Sequence, residues 1–222
     1  FRIRKLWKTI TFINHSLKNY KIVEKEHKLQ PKPIFIWFQI KGFILKYFFF
    51  FSEYNLKNNL LAKKYFLAIL QVSTDSQLTE GSDFKDNEKF IYKVIKDFAD
   101  ANLKNINLVF KHHPRDRGYT NYRDQIERIS KKFGAYNNVF YIHDYYLSKL
   151  FQNLNCKGTV LINSTVGYQS LYHSVPIKSL GITPYNIKGL SEQKNLVSFF
   201  KNPSPVDKLL FNKFTESFSF CH

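Results

Sequence analysis

Tyr65-Phe66-Leu67-Ala68-Ile69-Leu70-Gln71-Val72-Ser73-Thr74-Asp75 is a short, unbroken apolar run that stops abruptly at a polar one. A run of this length with no alternation reads as a strand buried on both faces, as in a parallel sheet, feeding a polar loop at its carboxyl end. Working outward toward the C-terminus, Phe90, Val94 and Phe98 recur every four residues with Ile91 and Ile95 beside them, which predicts an amphipathic helix. Ile106 to Phe110 is a second strand, ending in Lys111-His112-His113-Pro114. Tyr122, Ile126, Ile129 and Phe133 mark another helix, closed by Gly134 where a left-handed residue is common. Val139 to Ile142 reads as a third strand, Tyr146 to Leu154 as a short helix, and Thr159 to Ile162 as a fourth strand running into Asn163-Ser164-Thr165-Val166-Gly167. A helix over Val166 to His173 and a fifth strand over Pro176 to Leu180 complete the series. Strands alternating with helical crossovers predict an α/β fold with a doubly wound parallel sheet.

Toward the N-terminus the pattern dissolves. Residues 1–62 are basic, aromatic and weakly periodic, with a break at Gln30-Pro31-Lys32-Pro33, so helices are expected only around Ile3 to Tyr20 and Phe43 to Ala62. The expected organisation is a basic aromatic segment over 1–62 and a Rossmann-like nucleotide-binding domain over 63–222. The chain opens on Phe1 and contains no methionine, so a piece of a longer protein is expected.

With 44% hydrophobic and 18% aromatic residues, the 222-residue chain is too apolar to be disordered and long enough to bury one substantial core. Its formal charge of +17 raises nucleic acid or an anionic surface as partner. The abundance of Lys, Asn, Phe, Ile and Tyr beside scarce Arg and Ala is also what an AT-rich coding sequence gives, and no nucleic-acid-binding motif is present, so no nucleic-acid partner is expected. Cys156 and Cys221 stand far apart without CxxC or His/Cys spacing, which predicts neither zinc nor a disulfide framework, and a cytoplasmic location. The richest apolar run, Gly42 to Phe51, is interrupted by Lys46 and falls short of the roughly 20 residues needed to span a bilayer.

Ligands of open parallel sheets bind beyond the carboxyl ends of the strands. Three polar stretches occupy such places: 71–77, 111–119 and 163–167. Ser164 and Thr165 offer hydroxyls and unpaired N–H groups where a helix begins, an arrangement that serves either an anion or the helix cap itself. His113 is held extended by Pro114 and can present its imidazole to a phosphate, or sit on a solvated loop with Arg115, Asp116 and Arg117. Asp75, flanked by Gln71, Ser73, Ser76 and Gln77, is either a catalytic carboxylate or a turn aspartate bonded to its own backbone.

Taken together, Gln71-Val-Ser-Thr-Asp75-Ser-Gln77, Lys111-His-His-Pro-Arg-Asp-Arg-Gly-Tyr119, Tyr141-Ile-His-Asp144, Ile162-Asn-Ser-Thr-Val-Gly167 and Val175-Pro-Ile-Lys178 through Gly189-Leu190 resemble the ordered motifs of bacterial capsule polysaccharide synthesis proteins. The match covers roughly residues 64–215 and is closest to single-module members that attach the first Kdo residues of the capsule lipid anchor. The resemblance implies the C-terminal half of a GT-B-like, retaining glycosyltransferase. Such an enzyme takes Kdo from CMP-Kdo and builds a β-linked linker on a phosphatidylglycerol-type lipid, working peripherally at the inner membrane and alongside other capsule assembly proteins. By position it implies Asp75 as catalytic carboxylate and His113 as the histidine of the His-Pro element. Pro114, Arg115, Ser164, Thr165 and Gly167 would complete the nucleotide site, supported by Gln71, Gln77 and Lys111. The motifs imply no metal and no cofactor beyond the donor. Family members carry a further N-terminal α/β half, which the first 60 or so residues do not match. Two other readings compete: a CDP-glycerol or CDP-ribitol phosphotransferase of teichoic-acid type, and a non-enzymatic component of capsule assembly or export.

Overall fold

Five strands hydrogen-bond in parallel in the order β3-β2-β1-β4-β5 in a computed structural model that describes residues 32–72, 84 and 86–219. They are β1 (Lys64–Ile69), β2 (Ile106–Lys111), β3 (Val139–Ile142), β4 (Cys156–Leu161) and β5 (Ile177–Ser179). The sequence expectation of a doubly wound parallel sheet holds. Alternate residues of each strand face opposite sides, so each strand feeds two separate cores. Phe66, Ala68, Leu70, Leu108, Phe110, Val160 and Ile162 pack under α3 (Asn87–Ala101), α4 (Arg123–Lys132) and α7 (Leu196–Lys201). Tyr65, Leu67, Ile69, Val109 and Leu161 pack under α2 (Tyr54–Leu61), α5 (Leu147–Gln152), α6 (Val166–Tyr172) and α8 (Lys208–Ser219). Burial on both faces is why these strands read as continuous apolar runs.

Local signals set the boundaries. Asp86 accepts a hydrogen bond from the Lys89 N–H at the start of α3, which Asn102 closes in the left-handed region at φ 50°. Gly134 follows α4 at φ 68°, as its position predicts. Strand β4 begins three residues earlier than the apolar run suggests, because Gly158 lies within it. A Cβ there would come 2.6 Å from the Phe199 ring, so the glycine is required by packing although it weakens the strand signal.

The N-terminal side differs most from expectation. Instead of a break there is a helix start, since α1 runs over Lys32–Ser52 with Pro33 in its first turn, where proline is tolerated. The single helix expected over Phe43 to Ala62 is α1 and α2, separated at Glu53. The chain divides into two compact units, Phe1–Gln39 and Ile40–His222, so residues 40–61 cluster with the sheet although their composition groups them with the N-terminal segment. The Asn153 and Asn155 side chains donate to the Leu61 carbonyl at 3.2 and 2.8 Å, tying the end of α2 to the loop before β4. The helix expected over Ile3 to Tyr20 lies outside the described residues.

Candidate functional site

The strand order reverses between β1 and β4, and the chain leaves their carboxyl ends in opposite directions, the place where an open α/β sheet receives its ligand. Gln71 and Asn163 follow these two strands, and the Gln71 amide donates to the Asn163 side chain across the gap. Gln71 is also held by its backbone: its N–H donates to Asn87 Oδ1 at 3.2 Å, and its carbonyl accepts from Asn87 Nδ2 at 2.8 Å. Asn87 Nδ2 further donates to the Tyr122 hydroxyl at 3.0 Å, and the Tyr122 N–H donates to the Tyr141 hydroxyl at 3.4 Å. Tyr141 lies 2.7 Å from His112 Nδ1. A continuous polar chain therefore links the loop after β4 to the His-Pro loop after β2. A groove of about 600 Å³ opens beside it, lined by Glu88, Thr120, Tyr122, Asp124, Gln125 and Arg128.

The ends of β2 and β3 carry a buried electrostatic cluster. Lys111, only 4% exposed, donates from Nζ to the carbonyls of His112 and His143 at 2.9 and 2.6 Å, clamping the two strand ends together. Glu53, from the corner between α1 and α2, accepts from the His143 N–H at 3.1 and 3.0 Å, and its Oε1 lies 2.7 Å from His143 Nδ1. A carboxylate only accepts, so His143 Nδ1 carries the hydrogen and Nε2 is left as an acceptor. Phe49 stacks on the imidazole, ring centroids 3.5 Å apart. Among the described residues neither His112 Nε2 nor His143 Nε2 has a hydrogen-bond partner. Burial, then the neighbouring His143 and Lys111, pushes His112 down to about 3. Burial also lowers His143, against the opposing hydrogen bond to Glu53, so both rings are neutral near pH 7. Arg117 pairs with Asp144 at the rim.

The predicted residues divide between buried and accessible positions. His113 is extended at φ −77° and ψ 128°, as the following proline requires, and its Nδ1 accepts from the Arg115 N–H at 3.2 Å, capping the short turn Pro114–Asp116. Pro114 and Arg115 are exposed, whereas Gln71 and Lys111 are buried. Ser164 is half-buried with Oγ accepting from the Val166 N–H at 3.3 Å, and Thr165 is exposed with no side-chain cap bond. Gly167 is buried under Tyr185, whose ring would lie 2.4 Å from an added Cβ, so close packing alone requires a glycine there. Asp75 and Gln77 lie outside the described residues. Among those described, no three His, Cys, Asp or Glu side chains are arranged to hold a metal ion. Burial pushes the Cys156 thiol up to about 12, so it is inert at neutral pH.

Glu53 is the residue that motif reading missed. It lies 90 positions from its imidazole partner in a segment with no periodic signal, and no spacing rule connects the two.

Residues 12–219 match the model of the capsule polysaccharide biosynthesis protein family. The chain belongs to that family. It is 40% identical over 156 residues to the capsule polysaccharide export protein KpsS of Escherichia coli, a match covering 70% of this chain and 40% of KpsS. It is 37% identical over 152 residues to the capsule polysaccharide modification protein LipB of Neisseria meningitidis serogroup A, covering 68% of this chain and 36% of LipB. The chain thus spans about two fifths of the length of the curated relatives it matches. Among solved structures, Thermosulfurimonas dismutans KpsC, a beta Kdo 2,7 transferase, aligns with a TM-score of 0.42 and 15% identity over 72% of this chain and 58% of its own.

Proposed function

We propose that this chain is the nucleotide-sugar-binding part of a capsule glycosyltransferase that moves Kdo, with retention, from CMP-Kdo to a phosphatidylglycerol-type lipid at the inner membrane. The observation carrying this reading is the Gln71 bridge. It joins the loop that leads to Asp75 with the loop bearing Ser164 and Thr165, at the reversal point of the sheet. Family membership supports the capsule pathway.

In this reading the Ser164 and Thr165 hydroxyls take the CMP phosphate, His113 and Arg115 lie along the nucleotide, and Asp75 serves as nucleophile toward the anomeric carbon. A retaining transfer forms and then breaks a glycosyl-carboxylate bond, with CMP leaving in the first half and the acceptor oxygen attacking in the second. Gln71 is a positioning residue, because its Nε2 is taken by Asn163 and its backbone by Asn87, while its buried Oε1 has no partner among the described residues. The accompanying sheet-end cluster is neutral at its imidazoles and holds the β2 and β3 loops in register.

The test is calorimetry with CMP, together with transfer assays on the complete protein. Asp75→Asn is expected to abolish Kdo transfer while leaving CMP affinity nearly intact, because size and hydrogen bonding persist but nucleophilicity is lost. His113→Ala is expected to weaken CMP binding by roughly ten- to a hundredfold, the worth of a hydrogen bond to a charged group. Turnover of CDP-glycerol instead of CMP-Kdo would shift the assignment to the teichoic-acid class. Near-normal turnover by Asp75→Asn would move the catalytic carboxylate to Asp116 or Asp144.

A further inference from the structure

Helix α1 is apolar on two opposite sides. Within the second unit, Phe49 is buried, Leu45 is half-buried and Gly42 lies against Gly118, where an added Cβ would come 3.5 Å from the backbone. On the other side Ile40, Ile44, Tyr47, Phe48 and Phe51 follow the three- and four-residue spacing of one helical face. Ile44 and Phe48 are each 61% exposed and Phe51 is 73% exposed. A run of large apolar side chains this open is rare on a soluble surface and marks a contact surface.

The surroundings of the stripe select its occupant. At 3.6 residues per turn, Lys41 falls on one shoulder of the stripe, and α1 contains no Asp or Glu. The whole chain carries +17. A second copy would bring the same charge and be repelled, whereas an anionic bilayer is attracted. Tyr47 and, just beyond the helix end, Tyr54 are exposed aromatics with a polar tip, the type that settles at headgroup depth. Among the described residues no helix is long and apolar enough to cross a membrane, so the contact is in the plane of the surface.

We propose that the exposed face of α1 docks the protein on an anionic lipid surface, with Ile44, Phe48 and Phe51 entering the headgroup–acyl boundary and Lys41 meeting lipid phosphates. The proposal shares with the reading above only the lipid nature of the acceptor and is independent of the donor.

Vesicle flotation with the full chain tests it, using phosphatidylcholine vesicles with and without one quarter phosphatidylglycerol. Binding is expected only to the anionic vesicles, and to weaken as salt is raised. Ile44→Ser with Phe48→Ser and Phe51→Ser should lower partitioning by at least about tenfold, and Lys41→Glu by about tenfold. These side chains are exposed, and unchanged circular dichroism and CMP affinity in both variants would show that the fold persists. Undiminished flotation of the serine variant overturns the proposal and assigns binding to the general basic charge. So does a wild-type dimer that becomes a monomer in the serine variant, since the face would then be a self-association surface. Loss of CMP binding in wild type with flotation intact would sink the donor reading and leave this one standing.

Discussion

The two halves of the sheet's carboxyl edge are built in opposite ways. At the ends of β2 and β3, Lys111, His112, His143 and Glu53 are all below 5% exposure, and each holds another or the backbone. At the end of β4, Ser164 is half-buried and Thr165 lies open. A ligand entering the first half would have to break bonds made in the absence of water, where an unpaired polar group is costly. One entering the second half displaces only solvent. The buried half therefore fixes geometry and the open half is left accessible to a ligand, although sequence motifs mark both with equal strength.

Removing Glu53 should give the largest effect on that division. Glu53→Ala strips the partner from the His143 N–H and Nδ1–H in a site sealed by Phe49, and two stranded donors at 1 to 3 kcal/mol each suggest a loss of about 3 kcal/mol. Glu53→Gln, whose amide oxygen still accepts, should lose roughly half as much. Denaturant midpoints measure both. An unchanged midpoint in Glu53→Ala would show that the sealed half contributes nothing to the fold.

Gly167→Ala comes next, and it separates packing from ligand contact on the open side. The added methyl meets the Tyr185 ring, itself fully buried, so about 1 to 3 kcal/mol of stability should be lost through overpacking. If stability holds while CMP affinity collapses, the glycine is there for the ligand and not for Tyr185.

Acid should unbalance the sealed half first. His112 is held near 3 in the folded protein and returns to about 6.5 on unfolding, so below that value the unfolded chain binds the extra proton. Stability from this group is complete above pH 6.5 and falls as pH drops toward 3, with a slope of up to about 1.4 kcal/mol per pH unit. The lowered His143 acts in the same sense, with Glu53, Arg123 and Asp144 as its charged neighbours. In thermal melts across this range His112→Gln should show a shallower acid limb than wild type. An identical limb would place the acid sensitivity in other groups.

What the sequence made legible follows the same boundary between local and distant physics. Strands β1, β2 and β3 were readable because burial on both faces leaves unbroken apolar runs, and α3 and α4 because one buried stripe imposes a four-residue rhythm. Helices α7 and α8 leave no such mark, since no motif or strand follows residue 190 to anchor them. The start of helix α1 is not legible because Pro33 looks like a break, whereas it lies in the helix's first turn. Ser164, Thr165 and His113 stand where the sequence puts them, directly after a strand. The link between Glu53 and His143 is not legible, because a contact made by the fold between distant segments leaves no local pattern.

The smallest structural effect, and the sharpest separation of the two halves, should come from Ser164→Ala with Thr165→Ala. Ser164 Oγ makes one 3.3 Å bond to the Val166 N–H, and Thr165 makes no side-chain cap bond, so stability should fall by no more than about 1 kcal/mol. If these hydroxyls meet the nucleotide phosphate, each lost charge-assisted bond is worth about 1.5 kcal/mol or more, and CMP affinity should drop at least tenfold. Only a residue facing an exchangeable site combines a small change in folding with a large change in binding. The buried residues should do the reverse, since Glu53→Ala unsettles the fold before it touches the ligand. Calorimetry beside denaturant melts on both variants measures the contrast. CMP affinity that survives the double substitution would place the phosphate elsewhere on the edge, with the exposed Arg115 and the half-buried His113 as the nearest alternatives.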